Sequence, residues 1–199
     1  MYRQIGKRII DFLLSFWAIS VLWPVGVIIA VWIYLDDKES PIFYSQKRIG
    51  RNFRPFYVHK FRSMRSATKG DLQVTIGADK RITQPGKFIR ATKLDELPQL
   101  LNILLGEMSI IGPRPEVPKY VEMYKADYKE VLSIRPGLSD FASLKYYNEA
   151  EILGQQANPE QYYAEVILPD KIALAKKYIA EMSLLCDVNI IFKTIFKSL

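Results

Sequence analysis

The chain has 199 residues, 49% of them apolar, with 28 Lys and Arg against 21 Asp and Glu and a net charge of +7. That suits one domain with one appendage and anionic partners: phosphates, nucleic acid or an anionic membrane. A single cysteine, Cys186, and a single histidine, His59, exclude a disulfide framework and a zinc site built from Cys and His. Cys186, between Leu185 and Asp187, reads as core packing, and His59 beside Lys60 is weak ground for a catalytic triad.

The first element is the uncharged run Phe12 to Leu35. As one helix it would be about 36 Å long, enough to cross a hydrocarbon layer of about 30 Å. It is longer than a signal peptide's apolar core, and no small-residue cleavage site follows. Pro24 falls in its middle and frees the carbonyl of Ser20, which predicts a bend. Basic residues flank both ends: Arg3, Lys7 and Arg8 before it, and Lys47, Arg48, Arg51, Arg54, Lys60, Arg62 and Arg65 after it. The positive-inside rule then places both ends on the cytoplasmic side. A helix–break–helix that dips in and returns satisfies it, and the residues alone leave spanning and re-entrant forms open.

Two aromatic-rich runs, Ile42–Tyr44 and Phe56–Val58, flank Gly50-Arg51-Asn52 and predict a short hairpin. Residues 66–85 are polar and predict a surface loop. Helices are expected at 86–91, 95–108, 116–131 and 171–182. The tail sets Ile191, Phe192, Ile195, Phe196 and Leu199 on one stripe, which is expected to pack on the core rather than lie in a membrane interface.

The stretch TKLDELPQLLNILLGEMSIIGPRP, residues 92–115, holds the main chemical candidates. Thr92 and Asp95 have capping-box spacing, and Pro98 is tolerated only in a first turn, so a helix should start near Asp95. The acidic pair Asp95 and Glu96 is therefore explained by helix capping before any chemistry is invoked. No G-x-x-x-x-G-K-[ST], G-x-G-x-x-G, D-x-D, H-E-x-x-H or G-x-S-x-G occurs. What remains is an acidic pair, several arginines and lysines, and a membrane segment. That set suits phosphoryl chemistry: guanidinium forks pair with phosphate oxygens, and carboxylates hold Mg²⁺ or act as nucleophiles.

Nearly end to end and in order, the chain resembles the bacterial sugar transferases, the small monotopic phosphoglycosyl transferases. The match is carried by Lys7-Arg8-x-x-Asp11, Pro24, PIFYSQKRIG, KFRSM, GKFIRATKLDELPQLLNILLGEMSIIGPRP and IRPGLSDFASL. The resemblance implies a mostly helical α+β protein. Residues 1–38 would form a re-entrant membrane helix at the inner leaflet of the cytoplasmic membrane. Residues 39–199 would form a cytosolic catalytic domain with a small hairpin and C-terminal amphipathic helices. It implies a ping-pong reaction in which Asp95 attacks a nucleoside-diphosphate sugar, releases the nucleoside monophosphate, and passes the phosphosugar to polyprenol (undecaprenyl) phosphate. Glu96 matches the dyad partner, and Asp95 would also ligate Mg²⁺. Lys60, Arg62, Arg90, Arg114, Arg135, Pro136 and Gly137 match substrate-binding positions, and Lys7, Arg8 and Asp11 suit an interface anchor.

Two departures stand out. Ser139-Asp140-Phe141-Ala142-Ser143 replaces the family's T-G-W-A-Q, and Ala175 stands where many members carry an acid before the tyrosine matched by Tyr178. The expected partners are a UDP-sugar, the polyprenol phosphate and phospholipid, with no nucleic acid; a homodimer stays open. The competing reading is a membrane-anchored basic domain that binds nucleic acid or anionic lipid. A regulatory or scaffolding membrane protein without Mg²⁺ is the third.

Overall fold

The structure, a computed structural model, describes residues 2–65 and 81–198. Most of the loop expected over 66–85 lies outside the described residues. Helix α1, Lys7–Asp36, runs through Pro24 without a break in its helical assignment. It is long and apolar enough to cross a membrane, yet it lies against the body from end to end. Its inward positions are Lys7, Asp11 and Ser15 in the first half and Ile29 and Ile33 in the second, all at four-residue spacing. Near the start, Arg8 donates to the carbonyls of Ile103 and Leu104. Asp11 accepts from Ser109 Oγ at 2.6 Å and the Ile110 N–H at 3.1 Å. Ile29 and Ile33 pack with Phe61 and Ile89. The outward face exposes Phe12, Phe16, Trp17, Trp23, Ile28 and Leu35.

Strands β1, Phe43–Ile49, and β2, Pro55–Phe61, form the expected antiparallel hairpin, with Phe43 opposite Phe61 and Ile49 opposite Pro55. Its turn holds Asn52 at φ 56°, a conformation asparagine tolerates better than most residues. Helix α2, Gln84–Ala91, is capped by Thr83, whose side chain accepts from the Gly86 N–H at 3.0 Å. A Cβ on Gly86 would sit 2.0 Å from the Ser63 carbonyl oxygen, so only glycine lets the strand exit and the helix start meet. The helix expected over 95–108 divides into a 3₁₀ turn, Leu94–Glu96, and α3, Gln99–Leu105, closed by Gly106 at φ 84°.

Strand β3, Ser109–Ile111, pairs in parallel with β4, Gly137–Ser139. Between them, the helix expected over 116–131 divides at Tyr124 into α4, Pro118–Met123, and α5, Lys125–Val131. Then come α6, Phe141–Lys145; α7, Glu149–Gly154; α8, Pro159–Tyr162; and α9, Leu168–Glu181, reached through a π turn at Tyr163–Ile167. One core joins α4, α5 and α9 through Tyr120, Tyr128, Leu132, Tyr163, Leu168 and Ile172. A second sets Phe56 and Val58 of β2 against Leu100 and Ile103 of α3.

The last helix, α10, Leu184–Ser198, corrects an expectation. It buries Asp187 and Ile190 and half-buries Ile191 and Thr194, while Phe192, Ile195 and Phe196 are 57%, 52% and 72% exposed. Polar anchors cause this rotation. Asp187 accepts from Tyr178 Oη at 2.7 Å, Lys7 Nζ at 2.5 Å and Tyr2 Oη, and Thr194 Oγ1 lies 2.8 Å from Ser139 Oγ. Residues 187, 190, 191 and 194 therefore face inward, and most of the apolar stripe faces out. Leu199 lies outside the described residues. Cys186 is partly buried against Tyr178, as expected for a packing thiol.

Asp187 ties the N-terminal turn to the last helix, so Asp187→Asn should leave the buried Lys7 ammonium with only the more distant Asp11, at 4.0 Å, as counter-ion. Breaking a buried pair in this way costs about 3–5 kcal/mol. Thermal unfolding in detergent should shift down by roughly 10 °C; an unchanged midpoint would show that the pair carries no weight.

Candidate active site

The acidic pair sits where α2 hands over to the 3₁₀ turn. Thr92 does not cap the following turn as its spacing suggested; its hydroxyl donates back to the Phe88 carbonyl at 2.9 Å and closes α2. The reversal is made by Lys93, a non-glycine residue at φ 58°. That conformation costs about 1–2 kcal/mol for an L-residue with a side chain. Strain of this kind tends to collect at functional sites.

Glu96 is fastened from two sides. Arg114 grips it with a two-point fork, Nη1 to Oε2 at 3.1 Å and Nη2 to Oε1 at 2.5 Å. Lys60 Nζ donates to Oε1 at 2.8 Å. Burial works to raise the Glu96 carboxyl, but Arg114 and Lys60 outweigh it and hold the group well below the usual carboxylate range. Arg114 is itself placed by its surroundings. Pro113 and Pro115 restrict the backbone on either side, Nη1 also donates to the Leu138 carbonyl at 3.0 Å, and its N–H faces Asp140 Oδ2 at 3.4 Å.

Asp95 is the opposite case. It is 6% exposed and makes no hydrogen bond or ion pair with its side chain among the described residues. Burial raises its pKa, Glu96 adds to the rise, and Lys60, Arg90 and Lys93 oppose it. Arg90, on α2, reaches only distant partners, Ser63 Oγ at 3.5 Å and Met64 Sδ at 3.6 Å. The site thus contains one clamped carboxylate, one unclamped carboxylate and cations around both. No group of three Asp, Glu, His or Cys side chains suited to a metal occurs among the described residues. With Glu96 engaged, Asp95 is the carboxylate left for a cation. That donor set suits Mg²⁺ shared with substrate phosphates and water, its usual coordination in phosphoryl sites, rather than a protein-only cage.

The structure brings Lys60, Arg90 and Arg114 to the acidic pair and puts the other matched residues elsewhere. Arg62 closes α1, donating to Asp37 Oδ2 at 2.7 Å and to the Asp37 carbonyl at 3.0 Å. Arg135 donates to the Gly106 carbonyl at 2.7 Å. That is the far end of α3 from Asp95, about 15 Å along the helix. Pro136 and Gly137 line the β3–β4 pair: the Pro136 carbonyl accepts from the Ser109 N–H, and a Cβ on Gly137 would lie 2.1 Å from Gly112 N. Their contribution is close backbone approach, which places the Leu138 carbonyl for Arg114.

The tyrosine of the late helix, Tyr178, is fully buried and finds its acid in Asp187 of α10. His59 Nδ1 lies 2.9 Å from Ser45 Oγ on the hairpin, with no carboxylate hydrogen-bonded to its ring among the described residues. Sequence reading missed Lys93 and Asp140. Asp140 carried a signal: with Ser143 it has N-cap spacing, and its carboxylate accepts from the Ser143 N–H at 2.7 Å.

Fold and site together define a class: an α+β body lined by one long apolar helix, with a carboxylate pair set among cations suited to phosphate. The chain belongs to the bacterial sugar transferase family, which it matches over residues 2–199. A UDP-N-acetylgalactosamine-undecaprenyl-phosphate N-acetylgalactosaminephosphotransferase from Aeromonas hydrophila is 34% identical over 195 residues, which cover 95% of this chain and 42% of that protein. A UDP-glucose:undecaprenyl-phosphate glucose-1-phosphate transferase from Klebsiella pneumoniae is 33% identical over 98% of this chain and 40% of its own length. The exopolysaccharide production protein PSS of Rhizobium leguminosarum bv. phaseoli is 33% identical over 97% of this chain and 94% of its own. The chain therefore spans about two fifths of the first two relatives and nearly all of the third.

The two carboxylates should separate in stability measurements. Ionised Asp95 is disfavoured by the fold, so its contribution is full below its unfolded pKa and is lost as pH rises through the raised folded value. Asp95→Asn should therefore raise the unfolding temperature at pH 7, with the gain shrinking as pH falls toward the ordinary carboxylate range. Glu96 has the opposite sign. Its stabilisation is present above its unfolded pKa and is lost as pH falls through the depressed folded value, so Glu96→Gln should lower the midpoint at pH 7. Equal shifts for the two variants would contradict the division. Arg114→Lys cannot reproduce the fork and should cut turnover at least about tenfold. Arg51→Lys, at an exposed turn contact with the Ser133 carbonyl, should stay within about twofold.

Proposed function

We propose that this chain transfers a sugar phosphate from a nucleoside-diphosphate sugar, most simply a UDP-sugar, to polyprenol phosphate, as the first membrane step of glycoconjugate assembly. The observation that carries this reading is Asp95: a buried, unclamped carboxylate beside Lys60, Arg90 and Lys93, while its neighbour Glu96 is fixed by Arg114. The names of the relatives supply the substrate classes.

An Asp95 oxygen attacks the β-phosphorus. The bond from that phosphorus to the bridging oxygen breaks, and the nucleoside monophosphate leaves with the electron pair. A phosphate oxygen of the acceptor then attacks the aspartyl phosphosugar and returns Asp95 as the free carboxylate. Burial without clamping suits this role, because the carboxylate is not stabilised into inertness. Lys60, Arg90 and Arg114 supply positive charge where phosphate charge must be held. Mg²⁺, held by Asp95 and the diphosphate, would offset the donor's charge.

The re-entrant form of α1 belongs to the same proposal. Lys7 at one end and Asp37 at the other both contact the same body, so a crossing would pull that body into the bilayer. The monotopic arrangement keeps the body on the cytoplasmic side, with the exposed apolar face of α1 in the inner leaflet. The nucleic-acid reading loses support because much of the basic run is engaged internally. Arg48 pairs with Glu116, Lys60 with Glu96, and Arg62 with Asp37.

Incubation with Mg²⁺ and a panel of UDP-sugars, without acceptor, should release at most one UMP per enzyme and add one phosphosugar to Asp95 by peptide mapping. Asp95→Asn should abolish both signals. Turnover that needs both substrates, with no burst and no adduct, would sink the covalent step. For topology, Cys186 is replaced and single cysteines are placed near residues 2 and 70. Neither should react with an impermeant reagent in intact cells, and both should react after lysis. Labelling of one site alone in intact cells rejects the re-entrant form.

A further inference from the structure

A groove of about 440 Å³ runs between α6 and the exposed side of α10, lined by Leu144, Phe192, Lys193, Phe196 and Lys197. Its volume lies within the range of about 300–1,000 Å³ usual for small-molecule sites. The floor is apolar and the rim carries two ammonium groups. Phe192 and Phe196 stack with centroids 6.5 Å apart and leave much of their surface to the outside.

The groove connects to the acidic pair through one ring. Lys197 Nζ lies 5.6 Å from the centroid of Tyr147, and Lys93 Nζ lies 5.1 Å from the same centroid. Lys93 is two residues from Asp95 and acts on its charge. Apolar floor, Lys197, Tyr147, Lys93 and Asp95 therefore follow one another. Helix α1 converges on the same place: it starts beside Asp187 of α10, and Gly26 in its second half meets Leu97 next to the acidic pair. The two exposed apolar helix faces thus share one end near Asp187, and each leads toward the site.

We propose that the groove between α6 and α10 binds the acceptor, an isoprenoid chain ending in a phosphate monoester. The chain lies on Leu144, Phe192 and Phe196, and the phosphate is drawn along Lys197 and Lys93 to Asp95. This rests on the transferase reading above and names the acceptor subsite within it. A purely apolar ligand would leave the lysines unused, and a free anion would leave the phenyl rings unused; an amphiphile with one anionic end uses both. Lys93 is exposed over the Tyr147 ring, and Lys197, which also donates to the Leu144 carbonyl at 2.6 Å, would exchange that bond for one to the phosphate.

The test uses the full chain in detergent and a C15 isoprenyl phosphate, with two readouts. Calorimetric binding of the isoprenyl phosphate without donor should weaken about tenfold in Phe192→Ala/Phe196→Ala, and by a similar factor in Lys93→Ala. In turnover assays the KM for the isoprenyl phosphate should rise by a comparable factor, with the KM for the UDP-sugar within twofold of wild type in the Phe variant. Ile195→Ser, on the exposed stripe outside the groove, separates acceptor binding from membrane docking. It should weaken flotation with anionic vesicles and leave the acceptor KM unchanged. Wild-type turnover with unchanged isoprenyl phosphate binding in both groove variants overturns the subsite and leaves the transferase reading standing. Weakened binding in a protein that transfers nothing from any UDP-sugar supports the subsite and overturns the transferase reading. Equal rises in acceptor KM for Ile195→Ser and for the Phe pair would assign the face to the membrane instead.

Discussion

The fork from Arg114 to Glu96 is the contact around which the site is assembled. It ties the 3₁₀ turn after α2 to the loop after β3, and Lys60 adds the hairpin to the same carboxylate. Three segments far apart in sequence are thereby held to one acid. The consequence for chemistry is a division of labour that identical residue types would not announce. A carboxylate held by a fork and an ammonium is a poor base and a poor nucleophile. Its neighbour Asp95 is buried beside the same cations and bound by none of them.

The supporting structure explains how such a fork stays in place. Arg114 borrows the Leu138 carbonyl and faces Asp140, and both positions depend on the close approach of Gly112 and Gly137 in the β3–β4 pair. A side chain at Gly137 would push the strands apart and move the carbonyl away from the guanidinium. The R-P-G block therefore acts on the site through backbone geometry. Arg135 neutralises the C-terminal end of α3 together with Arg8 of α1, where carbonyls lack partners within the helix.

Helix α1 is joined to the body by polar contacts as much as by apolar ones. Lys7 and Asp11 are buried in its first half, where Asp11 meets Ser109 and Ile110, and Asp187 of the last helix meets Lys7. Burying ions is costly unless each is paired, and here they are paired across 180 positions of sequence. Such pairs fix one orientation of a helix that hydrophobic packing alone would leave free to rotate. They also explain why α10 turns most of its apolar stripe outward.

Much was legible before any coordinates. The uncharged length of α1 and the hairpin around Gly50 follow from local pattern and turn chemistry, and motif resemblance singled out Asp95, Glu96, Lys60, Arg90 and Arg114, which the fold sets near one another. These features depend on neighbours within a few residues, and sequence order records those. What sequence could not decide depends on partners that lie far off in the chain. Thr92 had the spacing of one cap and serves another. Arg62 and Arg135 match substrate-binding positions, and their side chains meet backbone carbonyls at the ends of α1 and α3. The stripe on α10 had the periodicity of a packed face, and Asp187 and Thr194 turned it away. Periodicity says that a helix has two faces; only the partner that binds a buried charge says which one points inward.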